Sequence, residues 1–288
     1  MKFDVYSPLE KVSTSFLNRF NVQLDIKRDD MIHPFISGNK WRKLKYNLLA
    51  YQSSGRSGIL TYGGAFSNHL IATAAACAKF KIPCIGVVRG DELSERSNIV
   101  LRLCAEFGME LKFISRADYK LKLYPEGNNY LIPEGGDNIE GVKGCEEIMT
   151  GLDGYNHVFV SVGTSTTFKG VINGSKGIGH IHGVAALKGA DYLKKGIAHD
   201  TFFDNWTLHS QFCGNGFGKY SEAEVKFNSK FATETGILLD PIYTGKSMKA
   251  LYDLVSEGVI KPSERVLFIH TGGLTGVMSS KWLDVKRI

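Results

Sequence analysis

Short apolar runs alternate with longer amphipathic ones along this 288-residue chain. The runs at 59–62, 84–88, 110–114, 158–162 and 266–270 are brief, rich in branched residues and bounded by Gly, Pro or polar positions. That pattern predicts buried strands. Segments 68–80, 94–107, 141–149 and 246–257 carry helical periodicity. Strands separated by helices imply parallel βαβ units in an α/β fold, with helices covering the sheet faces. Glycine-containing turns near residues 48 and 149 are candidate domain boundaries, and no internal repeat or low-complexity tract interrupts the pattern.

Three of these strands run into small-residue loops: TYGGAFSNH (61–69), VGTSTTFKG (162–170) and IHTGG (269–273). In an open α/β sheet such loops lie at the carboxyl ends of strands, where ligands bind. A helix that follows such a loop offers unpaired N–H groups and a positive dipole end to an anion.

Composition narrows the function classes. Hydrophobic residues make up 43% and charged residues 22% of the chain, and the formal net charge is +6 with the basic residues dispersed. This suits anionic ligands and gives little support to nucleic-acid binding. Five cysteines, an odd number with no Cys-x-x-Cys pair, predict reduced buried thiols in a cytoplasmic protein and no zinc knuckle. No segment reads as a signal peptide or as a membrane span, so neither a membrane nor a nucleic-acid partner is expected.

Four segments carry candidate chemistry. Gly163 allows a close backbone approach, and Thr164, Ser165, Thr166 and Thr167 add four hydroxyls. The loop reads equally as a phosphate cradle or as a helix cap, and it is neither a Walker loop nor a dinucleotide fingerprint. In ISGNKWRKLKY (36–46), Ser37 or Asn39 is placed to cap a helix that begins at Lys40. Arg42, Lys43 and Lys45 read as a solvated basic face. A partly buried Lys40 at a helix start would have its neutral amine favoured, the form that condenses with a carbonyl. Ser67 reads as an N-cap or as a hydroxyl aimed at a ligand, and His69 falls inside the helix that follows. Tyr243 reads as a core aromatic or a site residue. His180 and His182 share one strand face, with no third metal ligand apparent.

Taken in order, KRDD (27–30), GNKWRKLKY (38–46), SNH (67–69), PEGG (133–136), VGTSTT (162–167), LLDPIYTGKSM (238–248) and IHTGG (269–273) span nearly the whole chain. Together they resemble the family of D-cysteine desulfhydrase and 1-aminocyclopropane-1-carboxylate deaminase. That family belongs to the tryptophan-synthase-β-like, fold type II pyridoxal-phosphate enzymes. The resemblance implies two open, twisted, mainly parallel α/β sheet domains with flanking helices and the cofactor in the cleft between them. Residues 1–47 and 149–288 would form the larger domain and 48–148 the smaller, inserted one. Lys40 would hold pyridoxal 5'-phosphate as a Schiff base, and Asn68 would bond its ring hydroxyl. Gly163, Thr164, Ser165, Thr166 and Thr167 would hold its phosphate. Thr244 or Thr271 would meet the pyridine nitrogen. Lys40, Ser67 and Tyr243 are the implied catalytic residues; Ser67, Asn68, His69 and Phe217 would contact the substrate. No metal is implied, and the resemblance also implies a homodimer.

Two positions depart from the family pattern: Phe66 stands where glutamine is common, and Phe217 where a second tyrosine is usual. The chain is also shorter than the pattern between the phosphate loop and residue 200. Threonine at 244, where the cyclopropane deaminase pattern has glutamate, favours α,β-elimination over ring opening. The expected activity is therefore release of pyruvate, ammonia and hydrogen sulfide from D-cysteine. Cyclopropane deamination is the alternative, and a cofactor-binding protein without efficient turnover is the alternative of another class.

Overall fold

The computed structural model describes Met1, residues 4–125 and residues 127–273. Among the described residues, ten strands form two sheets. The larger has the order β1-β2-β10-β7-β8-β9, built from β1 (Leu9–Val12), β2 (Gln23–Lys27), β7 (His157–Val162), β8 (His180–Ala185), β9 (Trp206–His209) and β10 (Arg265–Ile269). Only β1 runs antiparallel to its neighbour. The smaller sheet, β5-β4-β3-β6, is parallel throughout and consists of β3 (Gly58–Gly63), β4 (Cys84–Arg89), β5 (Glu110–Ile114) and β6 (Asn129–Ile132).

Helices cover both faces of each sheet, as parallel strands require. On the small sheet, α2 (Asn39–Ser54), α3 (Asn68–Phe80) and α4 (Ile99–Glu106) bury Leu44, Leu70 and Leu101 against Ile59 and Ile132. Tyr119 of α5 (Arg116–Leu121) covers Leu60 and Val87 on the other face. On the large sheet, α1 (Ser15–Phe20), α9 (Glu222–Thr235) and α10 (Thr244–Ser256) pack Leu17, Phe231 and Leu251 on Phe159 and Phe268. The opposite face meets α6 (Ile139–Glu146), α7 (Thr166–Ser175) and α8 (Leu193–Asp200) through Cys145, Ile172 and Ile197. Helix α6 lies close against α2, because a Cβ on Gly144 would stand 1.9 Å from the Arg42 carbonyl oxygen.

Each sheet reverses its strand order once. Strands β3, β4 and β5 are laid down in one direction, and β6 returns to the other side of β3. Strands β7, β8 and β9 proceed likewise, and β10 returns to the other side of β7. Such switch points open a crevice at the carboxyl ends of the two diverging strands. The loops that leave β3, β6, β7 and β10 there are 64–67, 133–138, 163–165 and 270–273.

All five expected strands are present within a residue or two. The helix expected at 94–107 begins only at Ile99, capped by Asn98, since 94–97 form a turn. The one expected at 141–149 is α6 followed by a 3₁₀ turn at Glu147–Met149. Helix α2 runs without a break through residue 48.

Candidate active site

Helix α2 begins one residue later than a Ser37 cap would place it, and no side chain caps it: the N-cap is Gly38, at φ 60°. A Cβ there would stand 1.9 Å from the Thr271 carbonyl oxygen, so only glycine lets the helix start against the loop after β10. Asn39 closes the junction, its N–H to the Thr271 oxygen at 3.3 Å and its amide to Thr167 Oγ1 at 2.8 Å. Lys40 follows at once, in the first turn.

The basic face expected to be solvated is instead enclosed. Arg42 and Lys43 are buried. Arg42 donates to both oxygens of the fully buried Asp29, at 2.8 and 3.1 Å. Lys43 donates to the Gly135 carbonyl at 3.0 Å, and the half-buried Lys45 pairs with Glu147 at 2.6 Å. Solvation fails because α6 and the loop after β6 lie on this face of α2.

Burial first and the neighbouring Lys43 charge second, with Cys145 acting the other way, bring the Lys40 amine down to about 7. Near neutral pH a large share of Lys40 is therefore the nucleophilic free amine. His69, on the first turn of α3, is held well below its ordinary value by burial and by the charges of Lys40 and Lys43. Its tautomer follows from its partner. Thr61 gives its one hydroxyl proton to the Ile132 carbonyl at 2.7 Å, so His69 Nε2–H must donate to Thr61 Oγ1 at 2.9 Å. That leaves the buried Nδ1 as an acceptor without a partner among the described residues.

Ser67 caps α3, accepting the N–H groups of His69 and Leu70 at 3.2 Å each. Its proton remains available to a ligand. Asn68 faces the loop after β10: a Cβ on Gly273 would lie 3.5 Å from Asn68 Nδ2 and 3.4 Å from Asp240 Oδ2. Asp240 is a buried carboxylate whose oxygens accept the N–H groups of Ile242, Tyr243 and Thr244 and the Thr244 hydroxyl, at 3.0, 2.8, 2.9 and 2.7 Å. It fixes the start of α10 and, with it, Tyr243. The Tyr243 ring lies 3.3 Å from where a Cβ on Gly163 would be, and burial raises its hydroxyl above the ordinary value.

The loop after β7 is shaped for an anion. Ser165 takes φ 70°, and α7 begins at Thr166 with no side chain capping it. Its first-turn N–H groups thus have no side-chain cap among the described residues, and they sit beside the buried Ser165, Thr166 and Thr167. Thr164 Oγ1 lies 3.0 Å from Thr166 Oγ1, which donates to Asp137 at 2.6 Å.

The loops after β3, β7 and β10 and the starts of α2, α3 and α10 therefore bring Lys40, Ser67, Asn68, His69, Gly163–Thr167, Tyr243 and Thr271 close together. Thr244 is adjacent but fully buried, its hydroxyl committed to Asp240. Phe217 lies at the rim, half exposed, with its ring edge-on to Tyr243 at 5.9 Å. Phe66 is exposed. Residues not foreseen from sequence are Lys43, Asp137, Cys145 and Asp240. The three-residue step from Lys40 to Lys43, which puts both on one helix face, was the available signal for the first of these.

His180 and His182 do share one face of β8 and are joined there by His157 and His209. The rings of His157, His182 and His209 form a hydrogen-bonded chain, His180 bonds Thr207 instead, and among the described residues no three His, Cys, Asp or Glu side chains are grouped to hold a metal ion.

Residues 6–272 match the family model described as pyridoxal-phosphate dependent enzyme. The bifunctional D-cysteine desulfhydrase/1-aminocyclopropane-1-carboxylate deaminase of Arabidopsis thaliana is 30% identical, over 88% of this chain and 73% of that protein. The D-cysteine desulfhydrase of Serratia proteamaculans is 27% identical, over 93% of this chain and 91% of that protein. A crystallised ACC deaminase homologue superposes with a TM-score of 0.80 at 27% identity, covering 96% of this chain and 91% of its own.

Proposed function

We propose a reaction from one premise: this chain belongs to the pyridoxal-phosphate dependent enzyme family, and pyridoxal phosphate is its cofactor. The residues fit that group. The uncapped start of α7 suits its phosphate, the partly neutral amine of Lys40 its aldehyde, and Asn68 its ring hydroxyl. With the Thr244 hydroxyl engaged by Asp240, Thr271 is the threonine left for the pyridine nitrogen.

The reaction we assign is α,β-elimination on a small amino acid, D-cysteine first, giving pyruvate, ammonia and hydrogen sulfide with one water consumed. Bound pyridoxal phosphate supplies the electron sink for charge developing at the substrate α-carbon. Ser67 Oγ and the N-terminal end of α3 hold the substrate carboxylate. The amine of Lys40 accepts the α-proton, which a lysine near pH 7 can do without a further base. Tyr243 walls the site beside Gly163 and keeps its hydroxyl proton, so it can protonate the departing sulfur. The observation that carries the reading is the partly neutral Lys40 at the meeting point of both switch-point crevices. Opening of a cyclopropane amino acid is the second reading, because the Arabidopsis relative is named for both reactions.

Residues 48–148 as an inserted domain, a homodimer and a reducing cytoplasm complete the proposal. The buried free thiols of Cys77, Cys84, Cys104, Cys145 and Cys213 support the last, and no helix among the described residues is long and apolar enough to cross a membrane.

The test is an absorbance spectrum of the reconstituted protein and its Lys40→Ala variant, with sulfide and pyruvate assayed on adding D-cysteine. A cofactor band near the visible that is lost in the variant, with products from the parent alone, is the expected result. A band without products from D-cysteine or the cyclopropane substrate refutes the assigned reaction. No band after reconstitution refutes the role of Lys40.

A further inference from the structure

The segment 213–218 carries Phe217 to the rim of the site, and little packing holds it there. Gly214, Gly216 and Gly218 have φ of 56°, 102° and 69°, and Asn215, Phe217 and Gly218 are exposed. Beside it lies an open surface hollow of about 250 Å³ bordered by Gly214, Asn215, Glu224 and Lys246. Bonds from Gly216 N–H to the Cys213 oxygen, at 3.0 Å, and from Lys219 N–H to the Gly216 oxygen, at 3.2 Å, stay within the loop.

Lys246 reaches it from outside. This side chain is buried in the first turn of α10, and its ammonium donates to the Cys213 and Gly216 carbonyls at 2.8 Å each. The location is unfavourable on two counts. A buried ammonium loses hydration, and a cation at a helix N-terminus opposes the dipole. Two charge-assisted bonds to carbonyls and the nearby Glu224 and Asp240 offset this. The same helix turn presents Tyr243, whose edge Phe217 meets at 5.9 Å. One helix start therefore holds both the wall and the loop that covers it.

We propose that Lys246 is a positioning residue, a strap that holds the 213–218 loop in place so that Phe217 closes the site against Tyr243. It does not touch substrate; it sets where the rim stands. The proposal takes the site itself from the reading above.

Lys246→Met removes both donors and keeps the length of the side chain; Lys246→Gln keeps a shorter donor. In the cofactor-loaded protein, trypsin cleavage after Lys219 reports loop opening. It needs no turnover, so it is readable even if the assigned reaction is wrong. Loss of two such bonds should raise the cleavage rate by roughly tenfold or more in Lys246→Met, and by less in Lys246→Gln. With D-cysteine, KM should rise by a similar factor while kcat and the cofactor spectrum stay near those of the parent. Phe217→Ala should raise KM without raising cleavage. If Lys246→Met folds poorly, Lys246→Gln alone carries the comparison. Parent-like cleavage and KM in both lysine variants overturn the strap, and so does loss of the cofactor band with unchanged cleavage, which would move Lys246 to the cofactor.

Discussion

Acid should weaken this fold through the histidine chain on the large sheet, and the effect can be worked out from the hydrogen bonds. Glu264 Oε2 accepts the Lys261 N–H at 2.7 Å and, acting only as an acceptor, takes His157 Nε2–H at 3.0 Å. His157 Nδ1 then accepts from His182 Nε2–H at 3.0 Å, and His182 Nδ1 from His209 Nε2–H at 2.9 Å. In this arrangement the rings donate towards Glu264, and His182 and His209 are held neutral. Protonating His182 would set its Nδ1–H against the His209 Nε2–H, inside a stack with Phe159 at 4.4 Å. Burial first, then the charges of His180, His209 and His157, push His182 down to about 2; burial and His180 push His209 down to about 4. Both therefore stay neutral when folded, while the unfolded chain takes up a proton at each below its ordinary value of about 6.5. The stability they contribute is complete above that value and is lost as pH falls, until about 4 for His209 and about 2 for His182. Between pH 7 and 5 each costs about 2 kcal/mol, out of a total that is ordinarily about 5–15 kcal/mol. Carboxylates with lowered values, such as Glu147 and Glu264, add only below about pH 5. Urea unfolding at pH 7, 6 and 5, for the parent and His182→Phe, measures it. The variant is less stable at every pH, because His209 Nε2–H loses its acceptor, but it should lose about 2 kcal/mol less than the parent on going from pH 7 to 5. Parallel losses would refute the reasoning.

Two substitutions test the frame of the site. Gly38→Ala places a Cβ 1.9 Å from the Thr271 oxygen, whereas Gly55→Ala, at a similar φ of 67°, meets nothing within 4 Å. A cofactor titration should show affinity falling about tenfold or more for the first, while the second costs only the about 1–2 kcal/mol of left-handed strain; equal cofactor affinities would contradict the close approach. Asp240→Ala leaves three N–H groups and the Thr244 hydroxyl without their acceptor. It should cost about 3 kcal/mol or more, lowering Tm by roughly 10 °C in calorimetry, and an unchanged Tm would show that the carboxylate is not what fixes α10.

What could be read from the sequence followed from burial. Strands β3, β4, β5, β7 and β10 were legible as short apolar runs, and α3 was legible to the residue because Ser67 caps an alanine-rich run. Strands β1, β2 and β9 are LEKV, QLDIK and WTLH: half-polar pieces whose exposed positions dilute the signal. Strand β8 is hidden by His180 and His182, which only neighbouring strands show to be buried among other rings. Within the site, the ordered motifs marked Lys40, Ser67, Asn68 and the 163–167 loop. They did not show that Arg42 and Lys43 are enclosed, because the partners that permit it stand far off in sequence. Asp29 is 13 positions from Arg42, and Gly135 is 92 from Lys43. A buried charge is stable only beside its partner, and a helical pattern read alone cannot supply one.

The electrostatics of the crevice favour anionic ligands beyond what the fold alone implies. Lys40 is lowered by Lys43, and His69 by both, so the three basic groups resist one another's charged forms. Asp137 offsets part of this at Lys43. A phosphate against α7 and a carboxylate against α3 each bring negative charge to helix N-termini and to these cations, so each is favoured by the same local field. An amine of the same size without a carboxylate brings no anion to the start of α3. The preference should therefore be for amino acids over simple amines, and phosphate-bearing cofactor should stabilise the folded chain in proportion to RT ln(1 + [L]/Kd). Pyridoxal lacking the phosphate, which has the same aldehyde, should stabilise it far less. Equal stabilisation by the two would mean that the α7 start is a helix terminus and nothing more.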